Sequence, residues 1–134
     1  MTIREYLEDC IVLLTTSDII SSFQITKRRE TETDGYLRAR SVLLDGDLFE
    51  ISLYCQLVED EVKIAGYRFH RQRIDGRLVK RWDDAKHHPE IPSFPHHVHI
   101  GEHNEVKEST PVNLSEALSL LEREMTKINT RRLP

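Results

Sequence analysis

Apolar residues recur at helical spacing near the start of the chain, where Ile3, Tyr6, Leu7, Cys10, Ile11 and Leu14 fall on one stripe. Thr2 followed by Glu5 is a capping-box pair, so a first helix is predicted from about Ile3 to Thr15. Near the other end Asn113 and Glu116 repeat that signal. Leu114, Leu118, Leu121, Met125 and Ile128 then form a second stripe, predicted to pack in the core. Between the helices the period changes to two. Residues 19–31, 36–44, 48–58, 62–74 and 77–82 alternate as strands, separated by Asp34-Gly35, Asp45-Gly46, Glu59-Asp60 and Asp75-Gly76. Such short links force antiparallel neighbours. The expected fold class is α+β: an antiparallel meander of about five strands, with N- and C-terminal helices packed on one face. Residues 1–134 suit a single domain, with one irregular segment over 84–95.

Polarity sets the register. In the third strand Phe49, Ile51, Leu53, Cys55 and Leu57 share one face, and Glu50, Ser52, Tyr54 and Gln56 the other. A three-residue loop over 59–61 brings Ala65, Tyr67 and Phe69 to the core face, with Trp82 beyond, and sets Glu50 opposite His70. A two-residue Asp75-Gly76 turn then sets His70 opposite Arg81, and Arg68 opposite Asp83. Burying Leu37, Ala39 and Leu43 leaves Arg38 and Arg40 outward, beside Tyr54 and Ser52. The outcome is a row, Glu50–His70–Arg81, flanked by Arg38, Arg40, Tyr54 and Arg68. A one-residue slip would scatter it. Ordinary cross-strand charge pairing accounts for such a row; so does a phosphate-handling surface, with arginines binding the anion and Glu and His moving protons.

Charge modifies this picture locally. The formal net charge of −4 offers no bulk attraction to nucleic acid. Yet Arg68, Arg71, Arg73, Arg77, Lys80 and Arg81 stand against Asp75 alone, a local +5 that fits either a solvated face or an anionic ligand. No apolar run is long enough for a spanning helix, and the N-terminus lacks a signal-peptide pattern, which points to a cytoplasmic protein without membrane contact. Cys10 and Cys55 sit among apolar neighbours and are expected as reduced core thiols.

The stretch DDAKHHPEIPSFPHHVH, Asp83 to His99, holds five of the seven histidines. His87, His88, His96, His97 and His99 offer many nitrogens for a metal, with Asp83 or Asp84 as a carboxylate, but the familiar zinc spacings are absent. If a strand follows Pro95, His97 and His99 share one side and His96 faces away. A histidine pair also serves as base and acid, and RNA cleavage without metal needs little more than such a pair and a cation for the phosphorane. Pro89, Pro92 and Pro95 restrict the loop and hold its shape. A solvent-facing loop with no chemistry is the third reading.

The stretch GYRFHRQRIDGRLVKRWDDAKHHPEIPSFPHHVHIG resembles the TumE-type toxins of prokaryotic toxin–antitoxin systems, whose pattern runs YxYHxQ, DGxLIxRxDNAPHH, TFPHHxH. The match is close from Tyr67 to Gly101 and looser on either side. Asp84 and Lys86 stand where the pattern has Asn and Pro, and Leu53 stands near an acidic position of the family. The resemblance implies a small cytosolic toxin that inhibits growth by cleaving RNA and is neutralised by a cognate antitoxin with a helix-turn-helix-like part. The motif falls on His70, Arg81, Asp83, His87, His88, His96, His97 and His99. The leading expectation is therefore the toxin of a type II pair, a ribonuclease needing no metal or other cofactor. His97 and His99 are its acid/base pair; His70, His87, His88 and Asp83 are further catalytic candidates, and Arg38, Arg40, Arg68, Arg81 and His96 bind substrate. A metal-dependent nuclease or phosphodiesterase and a non-catalytic RNA- or partner-binding module stay open, as does a homodimer.

Overall fold

A computed structural model describes residues 1–132, with side chains through residue 127. The chain runs α1 (Ile3–Thr16), β1 (Ile20–Glu30), β2 (Asp34–Leu43), β3 (Leu48–Val58), β4 (Glu61–Gln72), β5 (Leu78–Asp83), β6 (His97–Ile100), β7 (Glu105–Glu108) and α2 (Leu114–Arg132). The strands form one sheet in chain order, and every neighbouring pair is antiparallel. This is the expected α+β meander, with seven strands instead of about five. The two additional strands follow the irregular 84–96 segment, where alternation is carried by histidines and charges. In β6 the inward residue is Val98, while the alternate positions His97 and His99 are buried and polar.

Both capping boxes form. Thr2 Oγ1 accepts from the Glu5 amide at 3.1 Å and Glu5 Oε1 from the Thr2 amide at 3.2 Å. At α2, Asn113 Oδ1 accepts from the Glu116 amide at 2.8 Å, and Glu116 Oε1 from the Asn113 amide at 3.4 Å. These bonds satisfy amides that the first helical turn leaves without partners. Ile3, Leu7, Cys10 and Leu14 of α1 and Leu114, Ala117, Leu118 and Leu121 of α2 join the inner face of the sheet, chiefly Leu37, Phe49, Ile51, Leu53, Phe69 and Trp82. Met125 is half-buried, and the side chain of Ile128 lies outside the described ones. Burying one such Leu or Phe side chain contributes about 1.5–3 kcal/mol, so this two-layer core dominates the stability. Cys10 and Cys55 are buried free thiols.

The turns differ from the expected ones in an instructive way. The 59–61 loop contracts to a two-residue turn on Glu59 and Asp60, both at positive φ, so Val58 meets Glu61. That register faces Val62 and Ile64 to the core and exposes Ala65. A bulge at Ala65 then restores the expected register, with Leu53 opposite Tyr67 and Glu50 opposite His70. The next hairpin does the reverse. Arg73 and Arg77 close a three-residue loop ending at Gly76 (φ +94°), and an extra residue at Val79 returns His70 to Arg81. Hydrophobic matching above each bulge outweighs the turn in setting the register.

Gly35 is no turn residue. The β1–β2 turn is at Glu32 and Thr33, clamped by Thr31 Oγ1 donating to Asp34 Oδ1 at 2.7 Å. Gly35 lies within β2 beneath α1, where an added Cβ would stand 2.7 Å from Ile3 Cγ2 and 3.2 Å from Cys55 Sγ. Gly35→Ala is therefore expected to push α1 off the sheet and cost about 1–3 kcal/mol, read as a lower urea midpoint at unchanged slope.

Strand alternation also divides the basic run. Arg71 and Lys80 turn to the helix side, where Arg71 bonds Asp47 Oδ2 at 2.9 Å and Asp45 Oδ2 at 2.7 Å, and Lys80 bonds Glu124 Oε1 at 2.6 Å. Arg73 and Arg77 pair with Asp47 and Asp75 at the hairpin. Arg68 and Arg81 remain for the opposite face.

Candidate functional site

The sheet face away from the helices carries two polar rows. One runs through Arg40, Glu50, His70, Arg81 and His99, and its neighbour through Arg38, Ser52, Arg68, Asp83 and His97. The expected Glu50–His70–Arg81 row is present and is extended by β6. The pairing of Arg38 with Tyr54 and of Arg40 with Ser52 expected from the sequence is shifted by two residues, so that Arg38 lies beside Ser52. Arg40 instead faces Glu50, with Nε 3.3 Å from Oε1, and Tyr54 faces Tyr36. Leu53 is buried in the core, so its apolar character leaves the Glu50 face untouched.

Asp83 is the centre of the constellation. Its Oδ1 is 2.8 Å from His97 Nε2, and its Oδ2 is 3.2 Å from Arg81 Nε and 3.5 Å from His99 Nε2. A turn holds the carboxylate, because Oδ1 also accepts from the Ala85 amide at 3.0 Å. His97 Nδ1 donates to the Pro95 carbonyl at 2.9 Å, so both of its ring nitrogens face oxygen acceptors. That bonding satisfies both N–H groups of an imidazolium. His99 differs. Its Nδ1 is bound to Asn104 Oδ1 at 2.6 Å, and the 3.5 Å gap from Nε2 to Asp83 is too long for a strong hydrogen bond. Burial and then the Arg81 cation hold His99 below the usual imidazole range. The two rings are 4.8 Å apart and edge-on, and at 2% and 5% exposure both are nearly closed off. His88 closes them, its ring 5.1 Å from His97 and 5.8 Å from His99.

His70 stands beyond Arg81, roughly 10 Å from His99 by strand spacing. Arg68 Nη2 donates to its Nδ1 at 3.4 Å, and its Nε2 donates to Gln72 Oε1 at 2.9 Å, which specifies a neutral ring. Burial is the main cause that lowers its proton affinity, with Arg68 and Arg81 adding to it. At pH values just below 6.5 an unfolded chain takes up a proton at this position that the folded chain resists. This contribution therefore destabilises as pH falls through 6.5 and vanishes at higher pH, where the ring is neutral in both states. His70→Gln is expected to flatten the fall of the urea midpoint between about pH 7.5 and 5.5.

Arg38 and Arg68 form no ion pair among the described residues, and Arg68 is lowered by burial first and by neighbouring Arg81. Unpaired guanidiniums on one face favour an anion between them. A hollow of about 650 Å³, lined in part by Phe23, Arg40, Glu50 and Gln72, adjoins the His70 end.

Of the residues singled out from sequence, His97, His99, His88, Asp83 and Arg81 meet in one cluster, with His70, Arg68, Arg38 and Arg40 on the same face. His87 is exposed and outside the cluster. His96 lies on the other side of β6, stacked on Tyr67 with Nδ1 2.8 Å from its Oη. Asn104, Gln72 and Glu90, which bond the rings of His99, His70 and His88, stand outside the residues singled out from sequence. Asn104 lies in the β6–β7 turn at φ +53°, and turn chemistry was its only signal.

The three histidines His88, His97 and His99 each offer a ligand atom within 4.8 Å of the others. Among the described residues no helix is long and apolar enough to cross a membrane. No curated protein and no solved structure matches the chain. A family model described as "Toxin TumE" matches residues 9–129, nearly the whole fold and all of the histidine constellation. On that match the chain belongs to the TumE toxin family, the toxin side of toxin–antitoxin pairs.

Proposed function

We propose that this toxin is an endoribonuclease of a type II pair that cleaves RNA in the cytoplasm by metal-independent acid/base catalysis. The observation that carries this reading is Asp83 bonded to His97 at 2.8 Å and to Arg81 at 3.2 Å, with Nε2 of His99, held from its other side by Asn104, 3.5 Å away. His99, with an unprotonated Nε2, takes the proton from a ribose 2′-hydroxyl. The 2′-oxygen attacks the adjacent phosphorus, the bond to the 5′-oxygen breaks, and His97 gives that oxygen its Nε2 proton. Arg81, with Arg68 and Arg38 alongside, stabilises the phosphorane charge. Asp83 orients the His97 ring through the 2.8 Å contact to its Nε2. Since His88 closes over both rings, the 84–96 segment must lift to admit the strand. The cognate antitoxin, expected to carry a helix-turn-helix part, would neutralise the toxin by keeping RNA from this face.

The test is cleavage of a defined RNA by the purified full chain in excess EDTA. The expected products end in a 2′,3′-cyclic phosphate, and replacing the 2′-hydroxyl at the cleaved position by hydrogen abolishes the cut. Cleavage that stops in EDTA would overturn the metal-free chemistry. RNA binding at low salt without products would reduce the protein to a binding module.

A further inference from the structure

All three clustered histidines are bonded outward through Nδ1. His88 Nδ1 meets Glu90 Oε1 at 3.1 Å, His97 Nδ1 the Pro95 carbonyl at 2.9 Å, and His99 Nδ1 Asn104 Oδ1 at 2.6 Å. Glu90 and Pro95 belong to the 84–96 segment and Asn104 to the β6–β7 turn. In each ring Nε2 is left as the second nitrogen, and those of His97 and His99 turn toward Asp83. Acid/base chemistry at His97 and His99 does not require His88 to be held in this way. Metal-binding histidines do share the arrangement: an oxygen accepts the outer N–H, fixes the ring and makes the other nitrogen a better ligand.

We propose that His88, His97 and His99, with Asp83 as fourth ligand, form a Zn²⁺ site, and that zinc filling it silences the toxin. Three imidazoles and a carboxylate are a donor set for tetrahedral zinc, with ligands at about 2.0–2.2 Å. The ligand atoms of the three histidines lie within 4.8 Å of one another and need to close in modestly, while the Asp83 carboxylate already stands 2.8 and 3.5 Å from Nε2 of His97 and His99. The ring with room to shift is His88, the one of the three on an irregular segment and only half-buried. The silencing half of the inference rests on the acid/base reading above. Zinc occupies the Nε2 lone pair of His99 and displaces the Nε2 proton of His97 to solvent. It also takes Asp83 as its last ligand, which leaves no open position for a reactive water. The bound ion further ties the 84–96 segment to β6, across the path that RNA must take.

The full chain, stripped with EDTA and dialysed, is titrated with ZnCl₂ by calorimetry. Stoichiometric binding is expected. It should weaken on the order of 10–100-fold in Asn104→Gly, which keeps the left-handed backbone and removes the amide, and further in His88→Ala. His103→Ala, an exposed histidine outside the cluster, binds as the parent does. RNA cleavage falls as the site fills and returns on adding EDTA. Absent binding, or binding unchanged in both His88→Ala and Asn104→Gly, overturns the site even if cleavage persists in EDTA. Cleavage that rises with zinc overturns both silencing and the metal-free reading while leaving the site.

Discussion

His99→Ala is expected to lower the rate of RNA cleavage by about 10²–10⁴-fold while RNA binding at low salt stays close to that of the parent. The reason is positional. His99 is the imidazole whose Nε2 lacks a short hydrogen bond, and Asn104 holds its other nitrogen at 2.6 Å. Removing the ring takes away the base but leaves Arg38, Arg68 and Arg81 for phosphate. Growth arrest on induction should disappear in parallel, with His103→Ala as the control that remains toxic. Unchanged cleavage in His99→Ala, with the fold retained by circular dichroism, would reject the acid/base pair. His97→Ala is the less informative variant, because that ring is almost wholly buried and bridges Pro95 to Asp83.

The second large effect lies on the other side of the sheet. Arg71 and Asp47 are each 3% exposed and bonded at 2.9 Å, with Asp45 on the same guanidinium. Arg71→Met leaves the Asp47 carboxylate buried with only the more distant, exposed Arg73 near it. A loss of about 3–5 kcal/mol in urea unfolding is expected, since removing one partner of a buried pair strands a desolvated charge. Arg73→Ala, in contrast, should cost less than about 1 kcal/mol, because that side chain is half-exposed. Combining Arg71→Met with Asp47→Leu should recover much of the stability, as the stranded charge is then gone. A small loss in Arg71→Met alone would mean that water reaches Asp47. The pair also explains why a local charge of +5 makes no single patch: the strand period sends alternate cations to opposite faces, and Asp45, Asp47 and Glu124 neutralise the inner set.

Much of this architecture is legible in the chain. Capping boxes, apolar stripes and period-two alternation are local properties, and each constrains the backbone where it occurs. So Thr2 and Glu5 begin α1 as read, and Glu50, His70 and Arg81 align because hydrophobic matching of Leu53, Tyr67, Phe69 and Trp82 demands it. The bulges at Ala65 and Val79 were not legible, because a turn of either length is compatible with the same matched faces. Gly35 read as a turn for a similar reason. An Asp-Gly pair signals permissive backbone, but the need it serves here is the approach of Ile3 from α1, a contact across the fold.

The chain by itself determined the two helices, the antiparallel meander, the face bearing Arg38, Arg68, His70 and Arg81, and, through its motifs, the toxin family. Only the tertiary structure decided that β6 and β7 extend the sheet, the condition for His96 to turn away, that His88 closes over His97 and His99 beside Asp83, and that His87 stays outside. The physical reason is the lack of a period in the proline-rich segment. A strand assigns each side chain a face every second residue, whereas an irregular loop places its side chains through contacts made at its ends. Those ends are held by Asp83 on one side and by Pro95, Ser93 and Ser109 on the other.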